Sequence, residues 1–90
     1  MASQIREKSS TDIYHVVLRG INKQVIFEDE EDFRKFLFIL SDCKETCEFQ
    51  LYAYCLMSNH IHLLIRTGKE PIGKIFQKLE CRFVHWYNNK

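Results

Sequence analysis

Apolar residues in this chain fall into short β-branched and aromatic runs in three places and recur at helical spacing in two. Ile13–Arg19 (Ile-Tyr-His-Val-Val-Leu-Arg) ends at Gly20, which predicts a first strand. After a loop over residues 22–27, an acidic run leads into Phe33, Phe36, Leu37, Leu40, Cys43 and Cys47. That period predicts a helix over residues 29–47 whose acidic first turn suits the helix dipole. Residues 49–57, rich in aromatic and aliphatic side chains, return as a second strand, and Ser58-Asn59 makes a tight turn into a third, His60–Arg66. Pro71 then stands where a first helical position tolerates it. Ile72, Ile75, Phe76, Leu79, Phe83, Trp86 and Tyr87 continue a second helix toward the end of the sequence.

The order β-α-β-β-α predicts an α+β fold: a ferredoxin-like antiparallel sheet with its final strand missing and two helices on one face. In that plan the third strand is central, beside the first. Without the last strand, the first strand exposes an edge, and exposed edges pair with other chains, so a homodimer is expected. The 90 residues make one domain, with the polar residues 1–11 expected as a disordered lead.

Composition narrows the class. Hydrophobic residues are 46% and charged residues 28% of the chain, a globular balance. No run reaches the roughly 20 apolar residues of a membrane span and the start is polar, so no membrane association and a cytoplasmic location are expected. The cysteines (Cys43, Cys47, Cys55, Cys81) form no CxxC pair and are expected as reduced thiols. Cys43 and Cys47 could also share a helix face and bind metal. Net charge is +1, but residues 1–50 carry seven Lys/Arg against ten Asp/Glu, and residues 51–90 carry six against two. A polyanion meets the second half first.

That half contains Met57-Ser-Asn-His-Ile-His-Leu-Leu-Ile65. Side chains alternate along a strand, so His60, His62, Leu64 and Arg66 share one face, and Ile61, Leu63 and Ile65 share the other. The aliphatic face seats the helices, leaving the imidazoles open and about 7 Å apart along the strand, close enough to converge on one ion. An HxH pair on a strand is by itself more often two ordinary half-exposed histidines than a metal site.

The surrounding sequence adds a resemblance. Ile13-Tyr-His-Val-Val-Leu-Arg-Gly-Ile-Asn-Lys-Gln-Val-Ile-Phe27, Leu56-Met-Ser-Asn-His-Ile-His-Leu-Leu-Ile-Arg66 and Arg82-Phe-Val-His-Trp-Tyr-Asn-Asn-Lys90 resemble the single-tyrosine HUH transposases, IS200-like and REP-associated. The resemblance covers residues 12–90. It implies DNA transposition: binding, cleavage and rejoining of single-stranded DNA, often guided by a hairpin, by proteins that usually act as dimers. It also implies that His60 and His62 hold a divalent metal, Mg²⁺ or Mn²⁺, and that a tyrosine attacks a phosphodiester to leave a 5′-phosphotyrosine link and a free 3′-OH.

The family's tyrosine segment, with its Asn-Pro, has no counterpart here, because Pro71 is the only proline. Tyr87 is the substitute candidate, but Ile72, Phe76, Leu79, Phe83 and Tyr87 form the buried stripe of the second helix. The nucleophile is therefore expected beyond Lys90, in a family member truncated at its C-terminus. Arg19, Asn22, Lys23 and Arg66 are the expected DNA contacts. Lys74, Lys78 and Arg82 form a helical stripe that either tracks phosphates or is a solvated face. His15 is read as structural and Trp86 as packing. Two other readings remain: a non-catalytic nucleic-acid-binding module, relic or regulator, and a structural zinc site that would need Cys55 on the histidine face.

Overall fold

The computed structural model describes residues 2–6, 12–20 and 25–89, the first of these segments as backbone only. Its elements are β1 (Ala2–Arg6), β2 (Ile13–Arg19), α1 (Glu30–Cys47), β3 (Gln50–Met57), β4 (His60–Arg66) and α2 (Ile72–Asn88). All neighbouring strands are antiparallel, in the order β1-β2-β4-β3. From β2 onward this is the expected β-α-β-β-α order, with β4 flanked on both sides.

One expectation is corrected at the N-terminus. Ala2–Arg6 is a strand rather than a disordered lead, and it pairs with β2 from Ala2 opposite Arg19 to Arg6 opposite His15. It occupies the flank that a strand following α2 would take in the full ferredoxin-like plan. The β2 edge expected to be exposed is therefore covered, and among the described strands the free edges are those of β1 and β3.

Helix α1 begins at Asp29, which is extended and whose carboxylate accepts the Asp32 N–H at 3.1 Å. Asp32 is fully buried and accepts the Glu28 N–H at 2.8 Å, so two N-terminal donors are satisfied reciprocally. The helix ends at Glu48 in the left-handed conformation. Helix α2 starts after Pro71, whose carbonyl accepts from Lys74 and Ile75.

The core lies between the helices and one sheet face. Tyr14, Val16 and Leu18 of β2 pair with Ile65, Leu63 and Ile61 of β4, and all six are buried. Over them pack Phe36, Ile39, Leu40, Cys43 and Cys47 of α1 and Ile75, Phe76, Leu79 and Phe83 of α2. Phe27 joins this core from the β2–α1 connection, its ring 4.3 Å from Phe33 and edge-on to Phe36 and Phe83. Each such burial contributes roughly 1.5–3 kcal/mol, enough that the helices commit to the aliphatic face and leave the other uncovered.

The two helices are also tied by polar contacts. Arg82 pairs with Asp42 and its Nη1 lies 3.8 Å from the Cys43 sulfur, while Lys78 pairs with Glu70 at 3.8 Å and reaches the Cys47 sulfur at 3.8 Å. Two members of the basic stripe of α2 are thus engaged within the helical layer, away from the histidines.

Candidate metal and nucleic-acid site

The open sheet face is set by register. Arg19 pairs with His60, Val17 with His62, His15 with Leu64 and Ile13 with Arg66; from β3, Met57 pairs with His60 and Cys55 with His62. Cross-strand partners lie on the same face, so these residues surround the histidine pair on the side without helices. A bulge between Leu51 and Ala53 shifts β3 and turns Tyr52 toward Arg66, whose Nη1 donates to the Tyr52 hydroxyl at 3.4 Å. That bond holds the Arg66 guanidinium above its ordinary pKa range.

His60 and His62 are half-buried, with ring centroids 5.0 Å apart and planes at 80°. Each ring is held through Nδ1. His60 Nδ1 lies 2.7 Å from Asn59 Oδ1, an amide oxygen that only accepts, so the contact fits an imidazole that carries a proton on Nδ1. His62 Nδ1 lies 3.1 Å from Nε2 of His15, the two rings near-parallel at 22° with centroids 5.3 Å apart. A concavity of about 450 Å³ lined by Arg19, Gly20, Asn59, His60 and His62 opens beside the pair.

Backbone contacts fix this end of the sheet. The Gly20 N–H donates to Asn59 O, and the Ile26 and Phe27 N–H groups donate to Ser58 O. The tight turn before β4 is thereby clamped by the connection leaving β2, and the aromatic anchor of that connection, Phe27, is in the core.

Of the expected site residues, the fold brings His60, His62 and Arg19 together and sets Arg66 on the same face at the far end of β4. Asn22 and Lys23 lie outside the described residues. Tyr87 is half-buried against the core, and its hydroxyl donates to Glu28 Oε1, on the opposite side of the sheet from the histidines. Two partners escaped the sequence reading: Asn59, adjacent to His60 in a visible turn, and His15, read as structural. The period of β2 places His15 on the same face as Val17 and Arg19, but only the β2–β4 register puts it against His62.

Cys55 does share the histidine face, as a zinc site would need. Even so, among the described residues no group of three or more His, Cys, Asp or Glu side chains converges as a metal site. Two imidazoles with oriented Nδ1 groups fit a divalent cation as a partial ligand set, with open positions for oxygen ligands.

The fold is an α+β, ferredoxin-like arrangement with both helices on one face of an antiparallel sheet. Residues 8–90 match the family described as "Transposase IS200 like", and the chain belongs to that family. No curated protein and no solved structure matched the chain. Family membership supports a role in DNA transposition and a DNA substrate. No helix among the described residues is long and apolar enough to cross a membrane.

Proposed function

We propose that this chain binds single-stranded DNA across its open sheet face and that His60 and His62 hold Mg²⁺ or Mn²⁺ beside the phosphate to be cleaved. The observation that carries the reading is the pair of imidazoles 5.0 Å apart on that face, with His60 presenting Nε2 outward. A bound divalent cation supplies Lewis-acid polarisation of the phosphate and stabilises its developing charge. Arg19, exposed beside His60, neutralises a phosphate oxygen, and Arg66 holds the strand about 20 Å away, six residues along β4.

In the cleavage step a tyrosine oxygen forms a bond to phosphorus while the bond to the 3′ oxygen breaks. The electron pair leaves with that oxygen, which takes up a proton as the 3′-OH. None of the four tyrosines suits the attack. Tyr14 is buried on the helical side and Tyr87 lies there too; Tyr54 pairs with Leu63 of the helical face; Tyr52 is held at the Arg66 end. The nucleophile in this reading comes from residues outside these 90.

A homodimer remains part of the proposal, with β3 as the pairing edge. Its sequence Gln-Leu-Tyr-Ala-Tyr-Cys-Leu-Met carries no charge, and Tyr52, Tyr54 and Met57 are exposed along it, the pattern of an edge that accepts another strand.

Manganese titration followed by electron paramagnetic resonance tests the metal site: binding by the wild type that is lost in His60→Ala and His62→Ala is expected, and binding retained in both variants would refute it. Incubation with hairpin-tailed single-stranded DNA and Mn²⁺ tests the nucleophile. No covalent adduct is expected; an adduct that disappears in Tyr87→Phe would overturn the assignment.

A further inference from the structure

The ring that fixes His62 belongs to a residue with no role in the reading above. His15 comes from β2 and lies diagonal to His62 across the β2–β4 ladder, paired in register with Leu64. It is half-buried, its Nε2 is 3.1 Å from His62 Nδ1, and the two ring planes lie within 22° of each other with centroids 5.3 Å apart. On the other histidine, Asn59 Oδ1 occupies the equivalent position at 2.7 Å from Nδ1. Each imidazole of the pair therefore has a polar partner at Nδ1, one from the preceding turn and one from the neighbouring strand.

We infer that His15 is a positioning residue that locks His62 in the Nδ1–H form and so presents Nε2 to a cation, doing for His62 what Asn59 does for His60. The inference rests on the metal reading proposed above and adds the device that prepares the second ligand. A neutral imidazole has one N–H and one lone pair, so coordination through Nε2 requires the proton on Nδ1. That proton needs an acceptor, and the geometry offers Nε2 of His15, which must then carry its own proton on Nδ1. The ring planes lie within 22° of each other, as an in-plane N–H···N contact requires, and turning His62 about χ2 would break it, so the same contact sets both the protonation pattern and the ring orientation. Partners of this kind are commonly amide or carboxylate oxygens. Here one of the two is an imidazole, whose acceptor nitrogen exists in only one of its neutral forms, so the two histidines are ordered jointly.

The first test needs no metal. Long-range ¹H–¹⁵N spectra of the metal-free protein, which report the proton position on each ring nitrogen directly, are expected to show His62 protonated at Nδ1 and His15 protonated at Nδ1 with Nε2 bare. The second compares Mn²⁺ affinity in His15→Phe, which keeps an aromatic ring without an acceptor, and His15→Gln, which restores an acceptor oxygen. The Phe variant is expected to bind Mn²⁺ about 10-fold or more weakly, and the Gln variant to recover most of that loss. Thermal melts check that both are folded, and the wild-type spectra judge the assignment even if one is not. A His62 proton on Nε2 in the wild type would overturn it, as would a folded Phe variant with wild-type Mn²⁺ affinity. Failure of the wild type to bind Mn²⁺ would instead overturn the metal reading and leave the spectra to decide on His15.

Discussion

Replacing Arg19 with Gln removes a cation beside the histidine pair while leaving the sheet intact, because the side chain is exposed and its strand pairs through backbone with both β1 and β4. If Arg19 contacts a phosphate, the loss appears in the salt dependence of binding as well as in affinity. Each phosphate neutralised on a single strand contributes about −0.7 to the slope of log K against log salt concentration. Arg19 and Arg66, whose side chains are both described and exposed on this face, together contribute about −1.4, so raising salt from about 50 to 200 mM weakens binding about 7-fold through these two contacts. With Arg19→Gln the corresponding weakening is about 2.6-fold, and the slope is shallower by about 0.7. Fluorescence anisotropy of a labelled single-stranded oligonucleotide across that range measures the slope directly. Arg34→Gln is the control: Arg34 is exposed on α1, engaged with Glu30 at 2.9 Å, and sits in the helical layer. An Arg19→Gln slope equal to that of the wild type, or a slope change of the same size in Arg34→Gln, would refute the placement of DNA on the histidine face.

Tyr87→Phe loses the hydroxyl contact to Glu28 but keeps the ring against Phe83, so chemical denaturation is expected to show a loss of about 0.5–1.5 kcal/mol, with Mn²⁺ affinity unchanged. Gly68→Ala places a Cβ against the backbone carbonyl of Glu48, which ends α1, and since backbone has little room to yield, a loss of about 1–3 kcal/mol is expected in the same assay. Alkylation at mildly alkaline pH is expected to modify Cys55 and Cys81, which are exposed, well before Cys43 and Cys47. Burial pushes the Cys43 thiol above its ordinary range despite the Arg82 guanidinium beside it, so its thiolate is scarce as well as shielded. Mass spectrometry of native and denatured samples reads the difference.

The sequence by itself determined the alternation in β4 and the helical stripes, because these periodicities are local and each residue's neighbours along the chain decide its face. Ile61, Leu63 and Ile65 go inward and His60 and His62 outward for that reason, and the stripe that removes Tyr87 from the histidines is equally local. The acidic start of α1 near residue 29 was legible on the same terms, while Pro71, read at a first helical position, proves to be the extended residue just before α2. What only the tertiary structure decided depends on register and on chain segments with weak local signals. Ala2–Arg6 carries no clear strand pattern, yet it fills the flank of β2 because an unpaired ladder of backbone donors and acceptors is satisfied by any extended segment that reaches it. Likewise His15 meets His62 only because β2 and β4 pair with Val17 opposite His62; a shift of one residue would turn His15 into the core. The histidine pair was written in one strand, and its orientation was written in how that strand meets its neighbour.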